Sequence, residues 1–321
     1  MFGQSYWYNK SRNMAEGGTT VARCVLIVNP TSGKEKALRY SPDLQLILAQ
    51  RFNEVLFCPT QYAGHAEEIA YQAAMDGAQA VFCMGGDGTI NETINGLARA
   101  NKNTAFGFIP MGTVNDLARA MHIPLDPHHA IEMMRTAETV PLSIGRINDR
   151  YFVNIVAAGT LPEAVSQVSI EEKTRLGSLA YFIKAFKVLQ HQQMHIFRIE
   201  TETDIVIRRS PLFAAMLTNS VGSFRNLIPT KINDGKIRLA VFKDFELMDI
   251  LKTAPELLTG VPINSEYVTV LDITKAKVTL LSGDPLSTNV DGDKGPDFPL
   301  EIEALPNFLQ IYVPTKTEHT I

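Results

Sequence analysis

The stretch that most constrains this chain is Ala80-Val81-Phe82-Cys83-Met84, followed by Gly85-Gly86-Asp87-Gly88-Thr89. A short apolar run of this kind reads as a buried strand. The glycines after it carry no Cβ, so the backbone can turn sharply and approach another group closely. Beyond them, Ile90, Ile94, Leu97 and Ala98 fall on one helical face. Strand, glycine turn and helix start together make an anion site, because free backbone N–H groups and the positive helix end point at whatever sits there. Asp87 stands in the middle of that turn. A carboxylate beside a phosphate is repelled unless a cation or water lies between them. The stretch therefore points to nucleotide phosphates with a divalent metal. A tight βα turn with no ligand is the alternative that this stretch alone leaves open.

Two further strand ends carry similar chemistry. Cys24-Val25-Leu26-Ile27-Val28 is a continuous apolar run ending in Asn29-Pro30-Thr31-Ser32-Gly33-Lys34. This is not a P-loop: Val28 stands where its first Gly is required, and Glu35 follows the Lys where Ser or Thr is needed. Residues around 41–50 read as a helix through Leu44, Leu46, Ile47 and Leu48, and Glu54 to Cys58 as a strand ending at Pro59-Thr60. Gly64-His65-Ala66 opens a helix through Ala74, with Glu67 and Glu68 where the helix dipole favours acids. His65 either contacts a phosphate or makes a structural hydrogen bond. Ala105 to Ile109 is another strand, ending in Pro110-Met111-Gly112-Thr113-Val114-Asn115-Asp116. Thr113 or Asn115 is the candidate N-cap of the helix that follows. Such alternation argues for a parallel, doubly wound α/β sheet. Its polar turns would line one crevice at the strand C-terminal ends, where open α/β sheets hold their ligands. A dinucleotide site is disfavoured, because Asn91 stands where G-x-G-x-x-G needs its third Gly.

Past about residue 140 the pattern changes. Ser143 to Val156 alternates with period two, and Ile196–Ile207, Leu212–Thr218, Lys236–Phe242, Tyr267–Ile273 and Lys277–Leu281 read as strands. Asn233-Asp234-Gly235 and Ser282-Gly283-Asp284 punctuate them, which argues for an antiparallel sandwich or barrel. A helix over Leu176 to Leu189, with Lys184 and Lys187, either docks on lipid or packs on the sheet. In Thr288-Asn289-Val290-Asp291-Gly292-Asp293-Lys294-Gly295, two acids two apart bind calcium, catalyse, or decorate a loop. An EF-hand is excluded, with Lys294 at its sixth position and Leu300 at its twelfth. Leu300 to Pro314 contains two strand-like pieces.

A chain of 321 residues suggests two domains, and a net charge of −4 argues against a nucleic-acid partner. Cys24, Cys58 and Cys83 lack metal-ligand spacing and fit buried thiols in a reducing cytoplasm. The start, Met1 to Arg23, has no continuous apolar core and is not read as a signal peptide. No run approaches the ~20 apolar residues that span a bilayer.

Taken together, these stretches resemble the bacterial diacylglycerol kinase catalytic-domain family of soluble lipid kinases, related to sphingosine kinases and more distantly to NAD kinase and phosphofructokinase. The matching residues are Asn29 to Gly33, Gly85 to Glu92 and Gly112 to Asp116, then Asn219-Ser220-Val221-Gly222, Asn233-Asp234-Gly235-Lys236 and Val290-Asp291-Gly292-Asp293. The first three are specific as a set, the later ones weaker singly. Residues 1–21 read as a flexible tail, and the resemblance implies an α/β ATP-binding domain over 22–142 plus 300–316 and a β-sandwich lipid-acceptor domain over 143–299. It implies ATP- and Mg²⁺-dependent phosphorylation of a lipid hydroxyl, typically diacylglycerol to phosphatidic acid. Asn29, Pro30, Thr31, Ser32, Gly33, Thr60, Gly86, Asp87, Gly88, Thr89, Ile90, Asn91, Glu92 and Thr113 would surround the ATP. Asp87 and Asp291 would join a water network around the catalytic magnesium. Asp293 would accept the lipid proton, at a position where the family commonly has Glu. A second, structural magnesium, present in some members, would be held by Asp234 and main-chain oxygens of Lys231 and Lys236; an Asn-Asp-Gly hairpin turn with no metal is the alternative. A cytoplasmic protein visiting the inner face of the membrane follows, with a homodimer open. The competing readings are a kinase for another lipid or soluble hydroxyl, and a nucleotide-binding regulatory protein with weak or lost catalysis.

Overall fold

The computed structural model describes residues 22–159, 194–221, 224–225, 230, 233–242, 268–282 and 286–315. The expected tail over 1–21, the helix expected over 176–189, and Lys231 lie outside these residues.

Four strands, β1 (Arg23–Val28), β2 (Glu54–Pro59), β3 (Ala80–Gly85) and β4 (Ala105–Pro110), run parallel in the order β2-β1-β3-β4. β3 is buried along its whole length and β1 from Cys24 onward, as strands covered on both faces require, whereas β2 at the edge is partly exposed. The links are α1 (Lys36–Leu48), α2 (His65–Met75) and α3 (Asp87–Ala100). The chain steps outward from β1 to β2, then back past β1 to β3 and β4. Right-handed crossovers then put α1 on one face and α2 and α3 on the other. Accordingly α2 packs on α3, while α1 packs on α5 (Pro127–Met133). The reversal falls between β1 and β3, so the crevice of a doubly wound sheet opens where their turns diverge.

Helix α1 begins at Lys36, five residues before the expected start, and runs through Pro42. Proline lacks the N–H that would reach the carbonyl four residues back. Here Ser41 Oγ donates to that carbonyl, Leu38 O, at 3.0 Å, so the helix continues.

A long strand, β18 (Leu300–Val313), joins the two halves. It runs parallel to β4 and antiparallel to β5 (Glu138–Ile147). The two pieces expected here form one strand with a register shift between Leu305 and Leu309. Before the shift, Leu300, Ile302 and Ala304 belong to a second core; after it, Leu309 and Ile311 belong to the first. The same sheet continues antiparallel through β15 (Lys275–Leu280), β8 (His195–Thr201) and β9 (Ile205–Ser210). The run expected as one strand over Ile196–Ile207 is thus two, because Thr201 accepts the N–H of Asp204 on its Oγ1 (3.0 Å) and closes a turn. The alternating segment 143–156 likewise divides among β5, β6 (Arg150–Phe152) and β7 (Ile155–Gly159).

A six-stranded antiparallel sheet faces this arm, in the order β14-β13-β10-β7-β16-β17. Its other strands are β10 (Leu212–Met216), β13 (Ile237–Phe242), β14 (Val268–Ile273), β16 (Thr288–Val290) and β17 (Asp293–Lys294). Phe197, Phe213, Leu239, Val278 and Leu300 fill the space between the layers. The architecture is an α/β domain with a parallel-containing sheet plus an antiparallel β-sandwich, as the sequence predicts. Cys24, Cys58 and Cys83 are free and buried, and burial pushes each thiol up to about 12. Among the described residues, no helix is long and apolar enough to cross a membrane.

Candidate active site at the junction of the two halves

Because β1 to β4 are parallel, their C-terminal turns share one edge. Backbone bonds hold these turns side by side: Asn29 N–H donates to Met84 O (3.0 Å), Thr60 N–H to Val28 O (2.9 Å), and Met111 N–H to Gly85 O (2.8 Å). The Asn29 side chain ties two of them together. Its Nδ2 donates to Thr89 Oγ1 (3.1 Å), and its Oδ1 accepts from Thr31 N–H (3.1 Å) and Oγ1 (2.9 Å). Thr31, Gly88 and Thr113 are exposed here, and Pro30, Ser32, Gly33, Thr60 and Gly86 half-buried. The edge therefore offers backbone N–H groups and hydroxyls to a ligand, and no side chain caps the start of α3 among the described residues.

Asp87 turns away from its own helix. Its carboxylate accepts from the N–H groups of Asn115 (2.9 Å) and Asp116 (3.1 Å). It thus caps the neighbouring helix α4 (Asp116–Ala120). Of the two N-cap candidates, Asn115 rather than Thr113 occupies the position, but its side chain bonds both backbone groups of Gly112 instead (3.0 and 2.9 Å). A Cβ on Gly112 would stand 2.8 Å from Asn115 Oδ1 and 3.0 Å from Gly86 Cα. Only glycine lets the two turns touch.

The sandwich contributes the third acid. Asp291 and Gly292 form a two-residue hairpin turn between β16 and β17, both with positive φ (50° and 101°). The Asp291 carboxylate turns back onto β7 and its approach, accepting from Val153 (2.7 Å), Asn154 (3.0 Å) and Ile155 (2.8 Å) N–H groups. Burial pushes its carboxyl up to about 6; the three N–H groups pull it down, and the Asp116 charge adds to the rise. Burial also raises Asp87, opposed by the Asn115 N–H, with Asp116 again adding to the rise. Asp116, itself 8 % exposed, therefore couples electrostatically to both acids. Helix α4 packs against β11 (Ser220–Val221), which brings this turn onto the second half. Sequence reasoning placed Asp116 inside a motif and gave it no role. The available signal was an acid opening a helix at a polar βα turn.

The ligand atoms of Asp87, Asp116 and Asp291 do not all lie within 4.8 Å of one another, so a divalent cation near them would be reached through water, and its charge would lower the cost of the buried acids. The rise at Asp291 has a consequence for the nucleotide- and metal-free protein. Its folded pKa lies above its unfolded value, so its burial penalty is absent below about pH 4 and complete above about pH 6. This group should cost roughly 3 kcal/mol of stability as pH rises through that window. Denaturant titrations at pH 4.5 and 7.5 should show about 2 kcal/mol of that loss in the wild type and a flatter profile in Asp291→Asn. Parallel profiles would contradict it.

The side chains of three other residues expected around a nucleotide pack or bond within the protein. Ile90 is core, and Asn91 is buried with its Oδ1 accepting from Asn95 Nδ2 (2.9 Å). Asn95 also bonds the backbone of Tyr151, tying α3 to β6 (N–H donor at 2.9 Å). The Glu92 carboxylate accepts from Gly64 (2.8 Å) and Ala66 (3.2 Å) N–H groups and caps α2. It takes this role because Gly64, the N-cap of α2, has no side chain of its own. Glu92→Gln should cost about 1 kcal/mol in a denaturant titration, the scale of a lost cap, with little change in turnover. His65 makes the structural bond, its Nδ1 accepting from Gln61 N–H (3.1 Å), and stacks on Tyr62. Asp293 is exposed on β17, two residues from Asp291.

Of the oxygens expected for a second magnesium, those of Asp234 and Lys236 lie among the described residues and are already engaged. Both Asp234 carboxylate oxygens bond the Arg238 guanidinium, and Arg238 Nη1 also reaches Lys236 O at 3.3 Å. Asp126, His128 and His129 bring ligand atoms within 4.8 Å of one another, but all three are exposed and lie on a different turn.

Residues 23–147 match the model of the diacylglycerol kinase catalytic domain, and residues 154–313 that of the YegS C-terminal NAD kinase beta sandwich-like domain. Curated relatives include a protein named diacylglycerol kinase from Bacillus subtilis (strain 168), 33 % identical over 299 residues, or 91 % of this chain and 96 % of that one. Another of the same name, from Staphylococcus carnosus (strain TM300), is 33 % identical over 300 residues, covering 93 % and 97 %. A crystal structure of a diacylglycerol kinase from Bacillus anthracis str. Sterne superposes with a TM-score of 0.73 at 18 % identity, over 92 % of this chain and 98 % of that one.

Proposed function

The chain belongs to the diacylglycerol kinase family and is a phosphotransferase with an alcohol acceptor, and we propose that it transfers the γ-phosphate of magnesium-bound ATP to the free hydroxyl of diacylglycerol. The observation that carries this reading is that Asp87, on the glycine and hydroxyl edge of the parallel sheet, holds the start of α4 and with it Asp116, while α4 packs against β11 of the second half. In this reading the α/β domain, 22–142 with 300–316, takes the nucleotide, and the sandwich, 143–299, takes the acceptor.

Phosphoryl transfer rests mostly on positioning and charge neutralisation. The backbone N–H of Gly33 and those of Gly86–Thr89, with the hydroxyls of Thr31, Ser32, Thr60 and Thr113, hold the phosphates and nucleoside. Magnesium supplies the charge that offsets the phosphate oxygens. Asp87 fixes α4 and, with Asp116 and Asp291, sets the negative field that retains the cation beside the phosphates. The acceptor oxygen bonds to the γ-phosphorus as the bond to the β-phosphate oxygen breaks and ADP leaves. Asp293, at the exposed end of the hairpin, takes the hydroxyl proton. Diacylglycerol lies in the bilayer, so the enzyme works as a cytoplasmic protein resting on the inner membrane face.

Mass spectrometry of products from mixed micelles holding diacylglycerol, monoacylglycerol, ceramide and sphingosine, with Mg·ATP, tests this. Phosphatidic acid as the main product supports the reading. Another phosphorylated lipid as main product replaces the acceptor, and no phosphorylated lipid despite nucleotide binding would favour a binding protein.

A further inference from the structure

The turn Asn233-Asp234-Gly235 sits at the register shift of β18. Asn233 Oδ1 accepts from Ser143 N–H (2.7 Å), its Nδ2 donates to Pro141 O (2.7 Å), and a Cβ on Gly235 would lie 3.3 Å from Pro306. The turn thus docks where the two cores meet on one strand. Just past it, β13 reads Ile237-Arg238-Leu239-Ala240-Val241. An arginine in an apolar run is costly to bury unless its donors are satisfied.

Arg238 is 7 % exposed, and its donors are met by the turn and the neighbouring strand. Its two terminal nitrogens bond both oxygens of Asp234, one at 2.8 Å. Nη1 is also 3.3 Å from Lys236 O, and Nε is 3.1 Å from Asp272 Oδ1. Asp272 stands directly opposite Arg238 in the β13–β14 ladder. Lys236 N–H donates to Asp234 Oδ1 at 3.0 Å, closing the turn on the same carboxylate. One planar cation therefore joins the turn, β13 and β14. Its fork geometry matches a carboxylate bidentately, which a point charge does not.

We propose that Arg238 is the built-in cation of this turn, so that this chain takes no divalent metal there. Magnesium needs near-octahedral oxygen ligands at about 2.0–2.1 Å. Asp234 and Lys236 O already serve the guanidinium, and a second cation on the same oxygens would meet its positive charge. The Arg238 guanidinium also holds the Asp234 carboxyl below its ordinary range. The inference does not depend on the acceptor: it concerns the fold, and its test contains no nucleotide.

Metal-free protein is unfolded by heat in EDTA, then in 10 mM Mg²⁺ and in 1 mM Mn²⁺. Measured in the Asp87→Asn background, which removes metal binding at the catalytic acids, the midpoint should agree in all three to within about 1 °C. Arg238→Ala should melt about 4 °C or more lower in EDTA and recover at least half of that loss in metal. A wild-type rise in metal that Asp234→Asn removes would overturn the proposal. So would an Arg238→Ala protein that loses stability and recovers none of it, since the turn would then not be a cation site. Should Arg238→Ala fail to fold, the comparison of wild type with Asp234→Asn decides alone.

Discussion

Asp87→Asn should lower phosphoryl transfer by at least about 100-fold, the scale of losing one preorganised charge at a transferring group. Asp87 is a positioning residue in the first instance: its two oxygens hold the start of α4, and so the place of Asp116. Asparagine keeps one acceptor oxygen and turns an amide toward the other N–H. The helix start then shifts, and one negative charge leaves the cluster. Folding should survive, at a cost of about 1 kcal/mol, because one bond of the pair remains. Circular dichroism and a denaturant titration beside the rate measurement separate the two effects. Full activity in Asp87→Asn would remove this acid from the reaction.

Asp293→Ala is expected to lower turnover by about 10²–10⁴-fold, the range for losing a general base. Its exposure on a two-residue strand predicts no measurable loss of stability. Asp293→Glu adds one methylene of reach and should retain or exceed wild-type turnover, with the pH profile of the rate intact. Unimpaired turnover in Asp293→Ala would place the base elsewhere.

The sequence made the strand-and-turn edge legible because its signals are local. Apolar runs at 24–28 and 80–84 need only their own periodicity to be read, and glycines at 85–88 only their missing Cβ. What escaped depends on contacts across the chain. Glu92 belongs to a glycine-rich motif by position, yet it caps a helix whose own N-cap, Gly64, offers no acceptor. Asp116 gains its part only when the hairpin at Asp291, more than half the chain away, folds back onto Val153–Ile155. At Asp234 the sequence leaves a metal and a metal-free turn both open, because the Arg238 that engages it lies within an apolar strand and its reach to the turn is set by the fold. The strand over 300–313 read as two pieces because Pro306 and Asn307 interrupt its alternation; the backbone absorbs both in a register shift.

The central claim is that the junction of the two halves is a magnesium-nucleotide site. Calorimetric titration of ATP into metal-free protein, with and without Mg²⁺, tests it most directly. The wild type should bind ATP at least about 10-fold tighter with Mg²⁺, a difference of about 1.4 kcal/mol, and Asp291→Asn should lose most of that gain. Equal affinity with and without the metal in the wild type would contradict the account.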